Sequence, residues 1–234
     1  MHLSDIRKEL AAAASEEKAA ILRRFFKTGP GEYGEGDRFL GIQVPVLRRF
    51  AKRYRLMALD AAEQLLQSAI HEERMLALLV LVLQFQQGDP PTQRAIFDLY
   101  LRSTAFINNW DLVDLSADKI VGPFLFKRSR EVLSRLAESK LLWERRIAII
   151  ATFHFIKRGE FTDTLRIADL LLGDKEDLIQ KAVGWMLREV GKRNLELEQE
   201  FLRGRYRSMP RTMLRYAIEK FPEELRRQYL HGAI

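Results

Sequence analysis

The 234-residue sequence contains no cysteine, which removes disulfides, thiolate metal sites and cysteine nucleophiles together. That composition fits a reducing, cytoplasmic setting. Histidine is also scarce. The four copies, at positions 2, 71, 154 and 231, are too dispersed for metal-ligand spacing, and His154 in "ATFHFIK" reads as a packed helix residue. No GxSxG nucleophile elbow occurs, and no dinucleotide-binding glycine pattern follows a strand. The glycine-rich stretch "KTGPGEYGEGDRFLGIQVP" (27–45) lacks the lysine-serine or lysine-threonine ending of a phosphate-binding loop and reads as an irregular connection. Long hydrophobic runs are missing as well. "LALLVLVL" is too short to span a bilayer, and the amino-terminal "MHLSDIRKELAAAASEEKAAILRRFF" is an interrupted charged helix without an export core. A soluble protein that needs no cofactor, metal or membrane is expected.

What remains is apolar, basic and helical. Hydrophobic residues make up 47% of the chain, enough to bury a substantial core and to argue against global disorder. Lysine and arginine number 39 against 32 acids, a net +7. Such an excess points about as readily to a polyanionic partner as to none. Apolar residues recur at three and four positions, and alternating strand patterns are scarce. Pro45 and Pro210 suit first helical turns, Ser15 caps the segment beginning at Glu16, and Gly173–Asp174 ends one helix and caps the next.

The helical pattern repeats. Aligning "ERMLALLVLVL", "NWDLVDLSADKI", "RRIAIIATFHFI", "QKAVGWMLREV" and "LRYAIEKF" brings Arg74, Trp110, Arg146, Lys181 and Arg215 into register, at spacings of 36, 36, 35 and 34 residues. Second helical segments such as "PTQRAIFDLYLRS" and "FTDTLRIADLLLG" lie between. A period in the mid-thirties built of helix pairs indicates an α-solenoid of HEAT-like repeats, here a single all-α domain over 1–234. On stacked inner helices the register positions would form a row, four of five cationic, giving a concave basic face able to follow a phosphate backbone. The competing reading is that each cation caps a helix or snorkels at a repeat junction. Four residues on, the register holds Leu78, Asp114, Ile150, Trp185 and Glu219, of which Asp114 and Trp185 stand out chemically.

The segments "FLGIQVPVLRRF" (39–50), "NWDLVD" (109–114), "WERRIAII" (143–150) and "IQKAVGWMLRE" (179–189) resemble the AlkD-type DNA alkylation repair glycosylases, helical-repeat enzymes that remove cationic alkylpurines, chiefly 3-methyladenine and 7-methylguanine, from duplex DNA. The resemblance runs through most of the chain. It implies that Trp110, Asp114, Arg146 and Trp185 are the cleft residues. Asn109 stands where some members carry a second tryptophan, which alters the contact expected with the damaged nucleotide.

The chemistry asks for these residue types. An alkylated purine is already cationic and leaves as a neutral base, so the remaining task is to stabilise positive charge on the sugar. A carboxylate near the anomeric carbon does this and can orient water, the role expected of Asp114. Trp110 and Trp185 would face the cationic nucleotide, and Arg146 would hold a backbone phosphate. Asp114 could instead be a structural ion-pair partner of Arg146. Trp143 reads as a packed residue at a helix start and Asp111 as a first-turn acid favoured by the helix dipole. No lysine in the matched segments is placed as a Schiff-base nucleophile, so strand cutting is not expected. Arg48, Arg188, Lys192, Arg193 and Arg211, with Arg74, Lys181 and Arg215 from the register, are the candidate phosphate contacts. The alternatives are a non-catalytic protein that binds DNA structures and a protein-binding solenoid scaffold. A monomer, cytoplasmic and nucleoid-associated when acting on DNA, is expected.

Overall fold

The computed structural model describes residues 3–234; His2 lies outside them. The described residues form fifteen α-helices and two single-turn 3-10 helices, with no strand beyond one isolated bridge between Arg38 and Ile70. No helix among them is long and apolar enough to cross a membrane. The all-α class and the repeated helix pairs expected from the periodicity are both present.

The chain forms two compact units, Met1–Ile120 and Val121–Ile234. The first holds α1 (Leu3–Ala12), α2 (Glu16–Phe25), α3 (Val44–Arg53), α4 (Leu59–Leu66), α5 (His71–Gln87), α6 (Pro90–Arg102) and the opening turns of α7 (Trp110–Leu125). The second continues through α8 (Glu131–Ala137), α9 (Leu142–Ala151), the single turn α10 (Phe153–Ile156), α11 (Thr162–Leu170), α12 (Asp177–Gly191), α13 (Leu195–Arg203), α14 (Arg211–Ala217) and α15 (Glu223–His231). The five register residues fall within the first five residues of α5, α7, α9, α12 and α14. The period read from the sequence is therefore the period of the helix pairs.

In the first unit α5 is central. It is apolar nearly all round and every residue from His71 to Val82 is buried, as a helix enclosed by α3, α4 and α6 must be. Its first turn also carries buried charge. The Glu72 carboxylate accepts the backbone N–H groups of Leu40, Gly41 and Ile42 at 2.9, 2.8 and 3.2 Å, which fixes the "FLGI" segment against the helix start. Gly41 is required there: its φ is +80°, and a Cβ would lie 2.1 Å from the Ser15 carbonyl oxygen. Ser15 caps α2 through the Lys18 N–H, and Pro45 lies in the first turn of α3.

In the second unit α12 is central, packed by α9, α11, α13 and α14. Gly184 permits the close approach of α14, since a Cβ would come within 2.4 Å of the Met213 carbonyl oxygen. Two boundary expectations shift. Pro210 precedes α14 instead of entering its first turn. Asp174 caps a turn, accepting the Glu176 N–H at 2.9 Å, and α12 begins only at Asp177.

Candidate functional site

A cavity of about 930 Å³ opens in the first unit. One wall is α2 and the residue that follows it, through Lys18, Ile21, Leu22, Phe25 and Phe26; the 39–43 segment and the start of α3, with Arg48, form another. His71 and Met75 of α5 and Trp110, Asp111, Asp114 and Lys119 of α7 complete it. Trp110 is the first residue of α7, so Asp114 lies one turn further on the same face. Both are half-buried, open to the cavity while supported by the core.

Aromatic packing orients the indole. The Trp110 ring lies against Phe26, 5.5 Å between centroids at 32°, and meets Phe25 edge-on at 5.9 Å. Phe26 in turn stacks on Phe39 at 5.2 Å, and Phe39 on the His71 imidazole at 4.6 Å. Phe25 remains 60% exposed at the cavity edge. Such offset and edge arrangements suit the ring quadrupoles and restrict the ring's tilt.

Beneath the aromatics runs a buried ionic chain. Arg74 Nη2 donates to Asp37 Oδ1 at 2.7 Å, Asp37 Oδ2 faces His71 Nδ1 at 3.2 Å, and His71 Nε2 faces Asp111 Oδ2 at 2.9 Å. Burial alone would depress the imidazole pKa, but the bonds to Asp111 and Asp37 outweigh it and raise the group to about 9. Burial tends to raise the Asp37 carboxyl, and the His71 and Arg74 contacts overcome this and hold it below the usual carboxylate range. The neutral-pH state is thus an alternating series of cation and anion, in which both ring nitrogens of His71 are donors. Among the described residues no group of three His, Cys, Asp or Glu side chains is arranged to hold a metal ion.

The sequence does not reveal this ionic chain, because its members are 34 and 40 residues apart and nothing local marks His71 or Asp37. Asp111 does occupy the first turn of α7, but its carboxylate also bonds His71. Asn109 does not face the cavity: it is fully buried, and its Oδ1 accepts the Trp110 N–H at 2.8 Å. Its role is to anchor the start of α7, so the altered nucleotide contact expected at that position does not arise from its side chain.

The register cations differ in exposure. Arg74 is 3% exposed and committed to Asp37 and the Ser68 carbonyl, because a cation in the first turn of a fully enclosed helix needs a local anion. Its guanidinium is enclosed by protein groups. Arg146, in the second unit, is 5% exposed and donates to the Leu178 carbonyl. Trp185 there is half-buried, its ring tilted against Phe153 at 5.9 Å. Lys181 pairs with Asp177 at 2.7 Å, Arg188 with Glu219, and Lys192 and Arg193 both with Glu189. Arg211 and Arg215 are exposed, as is Arg48 at the cavity edge. Ion pairs open to solvent are weak, so such cations can exchange a carboxylate for a phosphate. His154 is buried, as expected of a packed residue.

No protein of curated function matches the chain. Solved structures do. A predicted DNA alkylation repair enzyme from Enterococcus faecalis is 18% identical, covers 90% of this chain and 97% of its own, and superposes with a TM-score of 0.69. AlkD2 from Streptococcus mutans is 18% identical, covers 89% and 99%, and has a TM-score of 0.57. At these identities the likeness establishes the fold. The sequence profile of one family, described as DNA alkylation repair enzyme, matches residues 6–221, nearly the whole chain, and on that match the protein belongs to the DNA alkylation repair enzyme family.

Proposed function

We propose that the protein is a monofunctional DNA glycosylase that hydrolyses the N-glycosidic bond of cationic alkylpurines, 3-methyladenine and 7-methylguanine among them, in duplex DNA. The observation that carries this reading is the pairing of Trp110 and Asp114 on one face of α7, both lining the same aromatic cavity. As the glycosidic bond breaks, its electrons pass to the base, which leaves neutral, and the sugar becomes cationic. The Asp114 carboxylate stabilises that cation and orients the water that attacks it, and the water's proton passes to the carboxylate or to solvent. Trp110 favours a cationic base over a neutral one by about 0.5–2 kcal/mol.

The remaining assignments follow the same reading. Arg146 and Trp185 are proposed as DNA contacts of the second unit, and Arg48, Lys181, Arg188, Lys192, Arg193, Arg211 and Arg215 as phosphate contacts without base specificity. Lys119, the lysine of α7 in the cavity, has its Nζ bonded to the Leu115 carbonyl at 2.8 Å and to Asp118 at 3.0 Å. That tether supports a water-based rather than an imine mechanism.

The test is single-turnover release of 7-methylguanine and 3-methyladenine from duplex DNA, with borohydride present in a parallel reaction. Free base, an intact strand and no trapped protein–DNA adduct are expected. DNA binding without release of either base would favour a non-catalytic DNA-binding protein, and a trapped adduct would overturn the water mechanism.

A further inference from the structure

The geometry points to His71 as a positioning residue for the proposed base-release reaction, bonded through Asp111 to the first turn of α7 and stacked through Phe39 and Phe26 toward Trp110, so that one side chain sets both the indole and the Asp114 carboxylate. This inference deepens the glycosylase reading and rests on it for its functional consequence.

Four observations converge on the residue. His71 is 3% exposed although it lines the cavity wall. Its two nitrogens are used on two different segments: Nδ1 on Asp37 of the 27–45 connection and Nε2 on Asp111 of α7. Its ring is 4.6 Å from Phe39 and 5.1 Å from Phe26, and Phe26 is the ring against which Trp110 lies. Finally, Asp37 is itself held by Arg74 and by Asn108 Nδ2, two residues before Trp110. The start of α7 is thus tied to the 27–45 connection at Asn108 and to α5 at Asp111, with Trp110 between the two contacts.

A neutral imidazole has one N–H and can donate to only one of the two carboxylates. The cation donates to both. Losing the proton would therefore release one segment and leave the buried Asp37 and half-buried Asp111 carboxylates facing one donor, with Arg74 the remaining cation of the chain. Glu72 is occupied by backbone N–H groups, while Lys18, Asp114 and Lys119 line the same cavity. With the imidazole held protonated up to about pH 9, the positioned state covers the neutral range and is lost above it.

The experiment has two readouts. The first is the single-turnover rate at saturating protein from pH 6 to 9.5, corrected for spontaneous depurination, for wild type, His71→Gln and Asp111→Asn. The second is the indole 15N–1H resonance of Trp110, assigned by its loss in Trp110→Phe and followed over the same range. We expect the wild-type rate to fall near pH 9, and the variants to lose about ten- to a hundredfold in rate while DNA affinity stays within about threefold. The alkaline limb should be absent from both variants, and the Trp110 resonance should follow a transition near pH 9 in wild type. A Trp110 resonance that stays flat through that range in wild type overturns the inference even if His71→Gln does not fold. Unchanged rates in folded variants overturn it as well, while leaving the glycosylase reading in place. Wild-type protein that releases no base but shows the Trp110 transition keeps the positioning role and removes the glycosylase reading.

Discussion

His71 Nε2 lies 2.9 Å from Asp111 Oδ2, and that contact joins the first turn of the central helix α5 to the first turn of α7. Asp111 is flanked in the chain by Trp110 and, three residues later on the same helix, followed by Asp114. The chemistry proposed for the cavity therefore stands on a short helix segment fixed at its base by a buried ionic chain. Rigid elements hold reacting groups to tighter tolerances than loops do.

Asp114→Asn keeps the shape of the side chain and removes its charge. Single-turnover release of 7-methylguanine should slow by about a hundredfold or more, the scale of losing a main electrostatic stabiliser. Affinity for duplex DNA should be unchanged or slightly stronger, because an anion has been removed beside a polyanion. A variant that releases base at the wild-type rate would exclude Asp114 from the chemical step.

Trp110→Ala should act on the charge of the lesion. Removing one indole face should cost cationic alkylpurines about two- to thirtyfold in kcat/KM. Competition between a 7-methylguanine duplex and one carrying an uncharged isosteric base measures the difference. Equal losses for both would show that Trp110 contributes shape alone.

DNA affinity should be strongly salt-dependent. If about six cations contact phosphate, the equilibrium constant should fall on the order of a thousandfold between 50 and 200 mM salt. Neutralising Arg48, Arg211 or Arg215 singly should reduce the slope of log K against log salt by close to one each, and Arg74→Gln should leave that slope unchanged. A slope near zero would remove the phosphate-contact assignments together.

Stability should decline with rising pH through a buried acid in the second unit. Glu198 of α13 is 1% exposed, and burial pushes its carboxyl up from an ordinary 4.5 to about 9, with Arg188 opposing. The unfolded chain gives up this proton near 4.5 and the folded chain keeps it until about 9, so folding is progressively disfavoured between those values. The cost is on the order of 3 kcal/mol at pH 7. His71 behaves with the same sign over a narrower window. Its raised pKa contributes stability in full below about 6.5, lost as pH rises through about 9. Glu198→Gln should therefore shrink the difference in denaturation midpoint between pH 5 and pH 8.5 without abolishing it. An unchanged difference would refute the assignment.

Features written in local pattern are legible in the sequence. The helix-pair period places Arg74, Trp110, Arg146, Lys181 and Arg215 within the first five residues of five helices, because burying one face of each helix forces apolar residues into regular spacing. Ser15 and Pro45 mark helix starts for equally local reasons. Position along the period says nothing, however, about which register cation is open. Arg74 is enclosed because α5 is covered on every side, a consequence of packing by α3, α4 and α6.

What the sequence determined by itself was therefore the helices, their repeat and, through its long motifs, the family. What only the tertiary structure decided was the cavity and its footing: that Phe26 and Phe39 stack between Trp110 and His71, and that Asp37, His71, Arg74 and Asp111 form one buried chain. The physical reason is range. Helical periodicity is set by neighbours three and four residues apart, whereas the ionic chain joins groups 34 and 40 residues apart, and partners at that separation are chosen by how helices pack.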